Sequence, residues 1–181
     1  MGKSILSPQF SMRSILLSKG HTALVDDDVY EDVSRFKWSL ATCDGKFYAR
    51  RLIYVDGKRK HLYLHRYIMN APKGVKVDHK DRNGLNCCKD NMRLATDTQN
   101  SQNRSHEKSS RKFRSKYKGV TWYRSTQSKN PKYRDGCWMS RISYKGSQRS
   151  LGYFDCEEDA ATMYNVAAQI LFGEFALLNP I

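Results

Sequence analysis

Asp78 and His79 stand side by side in "VDHKDRNGLNCCKDNMRLATDTQN", the stretch from Val77 to Asn100. Imidazole titrates near neutrality and can take a proton from water, while a carboxylate offers a hard oxygen to a divalent cation. Hydrolysis of a phosphodiester needs that combination: a nucleophile made from water, a base for its proton, and positive charge beside the phosphate and leaving oxygen. Magnesium keeps most of its waters, so one carboxylate plus one amide oxygen suffices on the protein side. Asn100 is the candidate amide. The other reading of Asp78 and His79 is a polar turn between strands, without chemistry.

The stretch is apolar at neither period two nor 3.6, so it is not an ordinary core segment. "VKVDH" reads as a strand that delivers Asp78 and His79 at its end, and "NMRLAT" as a second strand. Neighbours on a strand point to opposite faces, so the local pattern alone does not bring the pair to one site. Thr96 then caps a helix, "DTQNSQNR", on which Asn100 and Asn103 fall at i, i+3. Asn83, Gly84 and Asn86 read as turn formers tolerant of positive φ, and Cys87 and Cys88 as packing.

Upstream, residues 21–55 suggest a strand, a short helix near Asp28 to Arg35, and two strands turning at "CDGK". A second Asp-Gly turn, "VDGKRK", leads into "HLYLHRYIM", which predicts a small antiparallel sheet. That sheet is either a scaffold or a DNA-backbone contact through Arg50, Arg51, Lys58, Arg59 and Lys60. Downstream, "NRSHEKSSRKFRSKYK" has the profile of a cationic linker, either solvated or lying along phosphates.

The last third is the most regular. "YKGVTWYRS", "CWMSRISYKG" and "SQRSLGYFD" read as three strands. Asp155 and Glu158 form an expected capping box for a helix "EEDAATMYNVAAQILFG" that stops at Gly173. Ala160, Met163, Tyr164, Ala167, Ile170 and Leu171 recur at helical spacing and predict the face packed on the sheet. Alternation in the middle strand turns Trp138, Ser140, Ile142 and Tyr144 toward that helix and leaves Met139, Arg141, Ser143 and Lys145 on an open cationic face.

The whole chain has 181 residues, with 32 Lys+Arg against 18 Asp+Glu and a formal charge of +14. This length holds one to three small domains, and the charge points to a polyanionic partner, nucleic acid first. No apolar run approaches the ~20 residues of a spanning helix. The start shows no signal-peptide core, and Leu6 breaks the myristoylation pattern, so the chain reads as soluble and intracellular. Five cysteines without paired CxxC spacing read as reduced thiols.

"LHRYIM" followed by "VDHKDRNGLNCCKDNMRLATDTQNSQNR" resembles the HNH endonucleases of bacteriophage homing type, over about residues 61–104. The resemblance implies a ββα-metal fold around a single Mg2+ or Mn2+ ion. It makes His79 the general base, Asp78 and Asn100 the metal ligands, and Asn91 the residue that orients His79, with 5′-phosphate and 3′-hydroxyl products. The third position is Asn100 where the family name has histidine, a form phage members often take. His65 reads as a packed structural histidine or a phosphate contact, and Asn103 as structural.

From Lys116 to Asn179 the chain resembles the plant Apetala-two/ethylene-response-factor DNA-binding domain, through "YKGV", "WMSRI", "LGYFDCEEDAATMYNVAA" and "FGEFALLN". That likeness implies three strands on one helix, with the sheet in the major groove. By position, Lys118, Thr121, Tyr123, Arg141, Ser143, Gln148 and Ser150 would face DNA. Thr121, Tyr123, Ser143 and Ser150 replace plant arginines and a tryptophan, so the plant target sequence does not transfer. An insertion, "STQSKNPKYRDG", adds Lys129, Lys132 and Arg134, either as a solvated loop or as phosphate contacts.

The expected architecture is α+β in four segments. Residues 1–58 form a small β-rich region, 59–104 an HNH core, 105–115 a basic linker and 116–181 the Apetala-two-like domain. The expected activity is a site-directed, metal-dependent endonuclease of homing type, with double-stranded DNA as partner, no membrane and no obligate protein partner. Its place is the host-cell cytoplasm if it is of phage origin. A DNA-binding regulator retaining a decayed nuclease segment and an RNA-binding protein are the competing classes; intact Asp78, His79 and Asn100 speak against the first, inward-facing Trp138 and Tyr144 against the second.

Overall fold

The structure, a computed structural model, describes residues 11–104, 115–127 and 129–181. The expected linker, apart from Ser115, and the extreme N-terminus lie outside these residues, as does the side chain of Lys132. The chain is a mixed α+β protein with several small antiparallel sheets, and it divides into two compact units, residues 1–100 and 101–181.

The first unit opens with a hairpin of β1 (Met12–Leu16) and β2 (Thr22–Asp26), of which β1 is an element the sequence pattern did not announce. Helix α1 (Asp27–Ser34) follows, with Asp27 and Asp28 in its first turn where the helix dipole favours negative charge. Strands β3 (Ser39–Cys43), β4 (Lys46–Val55) and β5 (Lys58–Tyr63) form an antiparallel sheet in chain order. Its two turns are Asp44-Gly45 (φ 49° and 71°) and Asp56-Gly57 (φ 52° and 71°), the all-positive φ of type I′ hairpins that favours Asp-Gly.

"HLYLHRYIM" does not stay extended. The strand ends at Tyr63 and α2 (Leu64–Ile68) begins, burying Leu64 completely. The Arg66 guanidinium ties the turn after α2 by donating to the carbonyls of Val75, Ala71 and Pro72. A two-stranded ribbon, β6 (Lys76–His79) with β7 (Met92–Ala95), comes next, and then α3 (Asp97–Gln102).

One core serves the whole unit: Ile15, Leu17, Ala23, Val25, Val33, Trp38, Ala49, Leu64, Cys87 and Met92. Residues from the N-terminal region and from the polar stretch meet in it. The Leu24 amide donates to the Leu85 carbonyl and the Cys87 amide to the Leu24 carbonyl, so the loop between β6 and β7 is pinned to β2. The positive φ of that loop falls on Arg82, at 66°, and not on Asn83, Gly84 or Asn86. Gly84 is needed for space instead: a Cβ there would meet the Phe47 carbonyl and the Tyr48 ring.

In the second unit β8 (Val120–Tyr123), β9 (Cys137–Tyr144) and β10 (Ser147–Phe154) form an antiparallel sheet with β9 central, packed on α5 (Glu157–Phe172). Trp138, Ile142 and Tyr144 face the helix side as the alternation predicts. Gly119 takes φ 79° where a Cβ would run into the Tyr164 ring. Asn179 closes the unit: it exchanges bonds with Asn165 on α5 and with the backbone of Lys118 ahead of β8.

Three expectations need correction. The N-cap of α5 is Cys156, with no side-chain capping bond, one residue after the Asp155 expected to open the helix. The buried stripe of α5 is Ala160, Ala161, Tyr164 and Ala168, while Met163 and Ile170 are exposed. A helix lying on so small a sheet buries a narrow face, and alanines let it approach closely. Finally, part of the insertion is a short helix, α4 (Pro131–Asp135), whose Tyr133 ring lies 6.0 Å from Tyr123 and 4.7 Å from Tyr153.

Candidate active site

Asp78 and His79 take opposite faces of the β6–β7 ribbon, and both faces are covered. Asp78 and His79 are 4% and 6% exposed. On one face Asp78 stands directly across from Arg93, and its Oδ2 accepts from Arg93 Nε at 2.9 Å and Nη2 at 2.7 Å. This carboxylate enters the interior already matched by a positive charge, as burial requires.

On the other face His79 enters a cluster of rings. Its imidazole is 5.2 Å from that of His65, edge to face, and 6.2 Å from the Tyr48 ring. Tyr48 and Tyr63 lie 5.6 and 5.5 Å from His65. Burial lowers the affinity of His79 for a proton, against the opposing pull of Asp81 and Asp78. His65 is pushed down to about 3, first by burial and then by His79 and Arg66. Its Nδ1 is buried without a hydrogen-bond partner among the described residues. Both imidazoles are therefore biased to the neutral form, the form able to accept a proton.

Asn91 holds the loop that follows His79. Its side chain accepts from the Asp81 amide at 3.1 Å and donates to Asp81 Oδ1 at 2.9 Å and to the Asn86 carbonyl at 2.8 Å. Its own carbonyl accepts from the Lys80 amide at 2.8 Å. Burial works to raise the Asp81 carboxyl, but bonds from Asn83, Asn86 and Asn91 outweigh it and hold the group below its ordinary value. Asn100 lies on α3, half-buried, its amide bonded to the Thr96 carbonyl. Thr96 and Gln99 form a reciprocal capping box at the start of that helix: the Thr96 amide donates to Gln99 Oε1 at 2.9 Å and the Gln99 amide to Thr96 Oγ1 at 3.2 Å.

Among the described residues no group of three or more His, Cys, Asp or Glu side chains could hold a metal; a donor pair of one Asp and one Asn is a different arrangement. No helix there is long and apolar enough to cross a membrane.

On the sheet of the second unit, Arg141 pairs with Ser150 and Ser143 with Gln148, which places the four on one face; Thr121 joins them through its partner Met139. Arg141 Nη1 donates to Gln148 Oε1 at 3.2 Å. Tyr123 belongs to this face but packs with Tyr133 and Tyr153. Lys118 lies ahead of β8, and its ammonium donates to the carbonyls of Gln102 and Arg104.

Sequence reasoning left Tyr48, Tyr63 and Arg93 without a role at the site, and His65 undecided. Arg93 was findable, because pairing "VKVDH" with "NMRLAT" antiparallel sets it opposite Asp78. The tyrosines carried no local signal, since Tyr48 reaches His79 from a strand some thirty residues away in sequence and Tyr63 joins through His65.

The chain is similar to known proteins. Residues 63–102 match the family model described as HNH endonuclease. A protein of Acanthamoeba polyphaga mimivirus, described as an uncharacterized HNH endonuclease, is 34% identical over 173 residues, covering 90% of this chain and 77% of that protein. Protein 3.8 of Escherichia phage T7 is 32% identical over 105 residues, covering 58% of this chain and 76% of its own. No solved structure matches the chain. This likeness along nearly the full chain places the protein in the HNH endonuclease family.

Proposed function

We propose that the protein is a metal-dependent DNA endonuclease of homing type whose second unit selects the site. The observation that carries this reading is the placement of His79: buried, biased to the neutral form and held against a second imidazole, one residue from an ion-paired carboxylate. His79 takes the proton of the attacking water. Asn91 fixes the loop leaving His79, and so orients the imidazole through the backbone. The succession of β6, β7 and α3 over residues 76–102 supports this reading, in which they form the ββα-metal core.

Enzymes of this family generally use a divalent metal. The residues present suit one: Asp78 gives a hard carboxylate oxygen and Asn100 an amide oxygen, the donor set of a single Mg2+ or Mn2+ that retains waters and binds substrate phosphate. When bound, the ion supplies positive charge to the phosphate and the leaving 3′ oxygen, with 5′-phosphate and 3′-hydroxyl ends as products.

The second unit acts as a DNA reader of Apetala-two type, its sheet in the major groove with Thr121, Arg141, Ser143, Gln148 and Ser150 toward the bases. Tyr123 and Lys118 serve that surface indirectly, by packing and by anchoring backbone. Phosphate contacts position a nuclease and carry little sequence information, so a separate reader suits a cutter of this kind.

Supercoiled plasmid carrying candidate target DNA, incubated with magnesium, with EDTA, or with His79→Ala protein, tests the reading. Nicking or linearisation that needs the metal and disappears in His79→Ala supports it. Unchanged cleavage by His79→Ala means a different active site. Tight binding without cleavage under any divalent metal gives the regulator reading instead.

A further inference from the structure

The face of the β4–β5 hairpin that lends Tyr48 and Tyr63 to the imidazole pair continues past them. Side chains alternate along a strand, and the register sets Arg50 against Tyr63, Leu52 against His61 and Tyr54 against Arg59. From the pocket to the tip, one face therefore carries Tyr48, Arg50, Leu52 with His61, and Tyr54 with Arg59. The opposite face is the covered one: Ala49 is in the core and the Arg51 guanidinium lies 3.6 Å over the Phe36 ring. Outward, Tyr54 is 67% and Leu52 41% exposed, between cations. A hairpin face serving only as scaffold has no need to combine exposed apolar surface with arginine while turning its covered side the other way.

We propose that this face is a DNA-contact ribbon that enters the major groove beside the bond being cut, with Arg50 and Arg59 on phosphates and Leu52 and Tyr54 against base edges. The inference rests on the nuclease reading above. Three things commit the occupant to duplex DNA. The cations complement phosphate; beyond Arg50, where β3 ends, the sheet narrows to a two-stranded ribbon that fits the major groove, about 12 Å wide; and the face is continuous with the ring cluster around His79. Six residues from Tyr48 to Tyr54 span about 20 Å. At about 3.4 Å per base pair the track ends about six base pairs from the cut. The structure also sorts the cations of this segment, because Lys58 and Lys60 pair with Val55 and Ile53 and belong to the opposite face.

The test measures binding of the full-length protein, in EDTA so that nothing is cut, to a fluorescent duplex of about 30 base pairs over about 50–200 mM salt, a range in which phosphate neutralisation registers. Arg50→Ala with Arg59→Ala should weaken binding about tenfold and reduce the salt slope by about two, one for each phosphate that is no longer neutralised. Arg50→Lys with Arg59→Lys should restore the slope, which a merely misfolded hairpin would not do. Tyr54→Ala should weaken binding a few-fold without changing the slope, and Lys58→Ala with Lys60→Ala should do clearly less than the arginine pair. Equal weakening from the two cation pairs, no weakening from the arginine pair, or equal affinity for a single-stranded RNA of the same length overturns the ribbon. Plasmid cleavage by the wild type with magnesium is scored separately, so failure of the nuclease reading shows as no cutting while the binding arms still report on the ribbon.

Discussion

The β6–β7 ribbon and the β8–β10 sheet are both small and antiparallel, yet they present polar residues in opposite ways. The first encloses them: Asp78 against Arg93, His79 against His65 and Tyr48. The second leaves Ser143, Gln148 and Ser150 exposed on an open face. Enclosure shifts proton affinity and fixes geometry, which is what moving a proton requires. Exposure keeps donors and acceptors available for a surface that arrives from outside. Burial, more than residue type, thus separates a group suited to chemistry from one suited to recognition.

The largest effect that would break this comparison comes from His79→Ala. We expect at least a hundredfold loss of cleavage with DNA affinity nearly unchanged, since a general base contributes about 10²- to 10⁴-fold. Cleavage and binding that fell together would show that His79 also serves recognition.

Gly119→Ala should be the next largest, and confined to the second unit, where the new methyl meets the Tyr164 ring and φ is 79°. We expect a loss of roughly 2–4 kcal/mol, read as a lower first transition in a thermal melt. Limited proteolysis should then degrade residues beyond 115 while the first unit persists.

A pH series sharpens the enclosed side. Folded His65 binds its proton only near pH 3, whereas the unfolded chain binds it at about 6.5. The unfolded state thus holds more protons between these values, and stability is fully present above pH 6.5 and is lost as pH falls toward 3. The part due to His65 approaches 3 kcal/mol by about pH 4. Urea melts of wild type and His65→Phe should converge in their pH dependence at neutrality and diverge in acid; parallel curves would place His65 in contact with water.

Smaller again, Arg141→Ala should weaken DNA binding by about 1–3 kcal/mol while cleavage at saturating DNA stays near wild type. Thr96→Ala should remove about 1 kcal/mol of helix capping and lower turnover through the helix that carries Asn100. A circular-dichroism melt measures the first consequence and single-turnover cleavage the second.

Much of this was legible locally. The Asp-Gly turns, the strand ends at His79 and Ala95, the Thr96 cap and the spans of β9 and β10 rest on periodicity and turn chemistry, which neighbouring residues set among themselves. The misses share another cause. Strand β1 exists because it has β2 to pair with, and the insertion turned helical over a tyrosine cluster that no short window contains. The polar stretch looked unpacked because its packing partners, β2 and the Tyr48 ring, come from other parts of the chain.

The sequence by itself determined which groups exist for the chemistry and on which elements they sit: a base and a carboxylate side by side at a strand end, an amide on the next helix, a cationic strand face further on. Only the tertiary structure decided what surrounds them. It covered both faces of β6–β7, so that Asp78 met Arg93 and His79 met His65 and Tyr48, and it set Arg50 and Arg59 on one face of the β4–β5 hairpin while folding Arg51, on the other, onto Phe36. The reason is physical: residue type and spacing act within a few residues, whereas desolvation and charge pairing depend on what other segments of the chain are brought alongside.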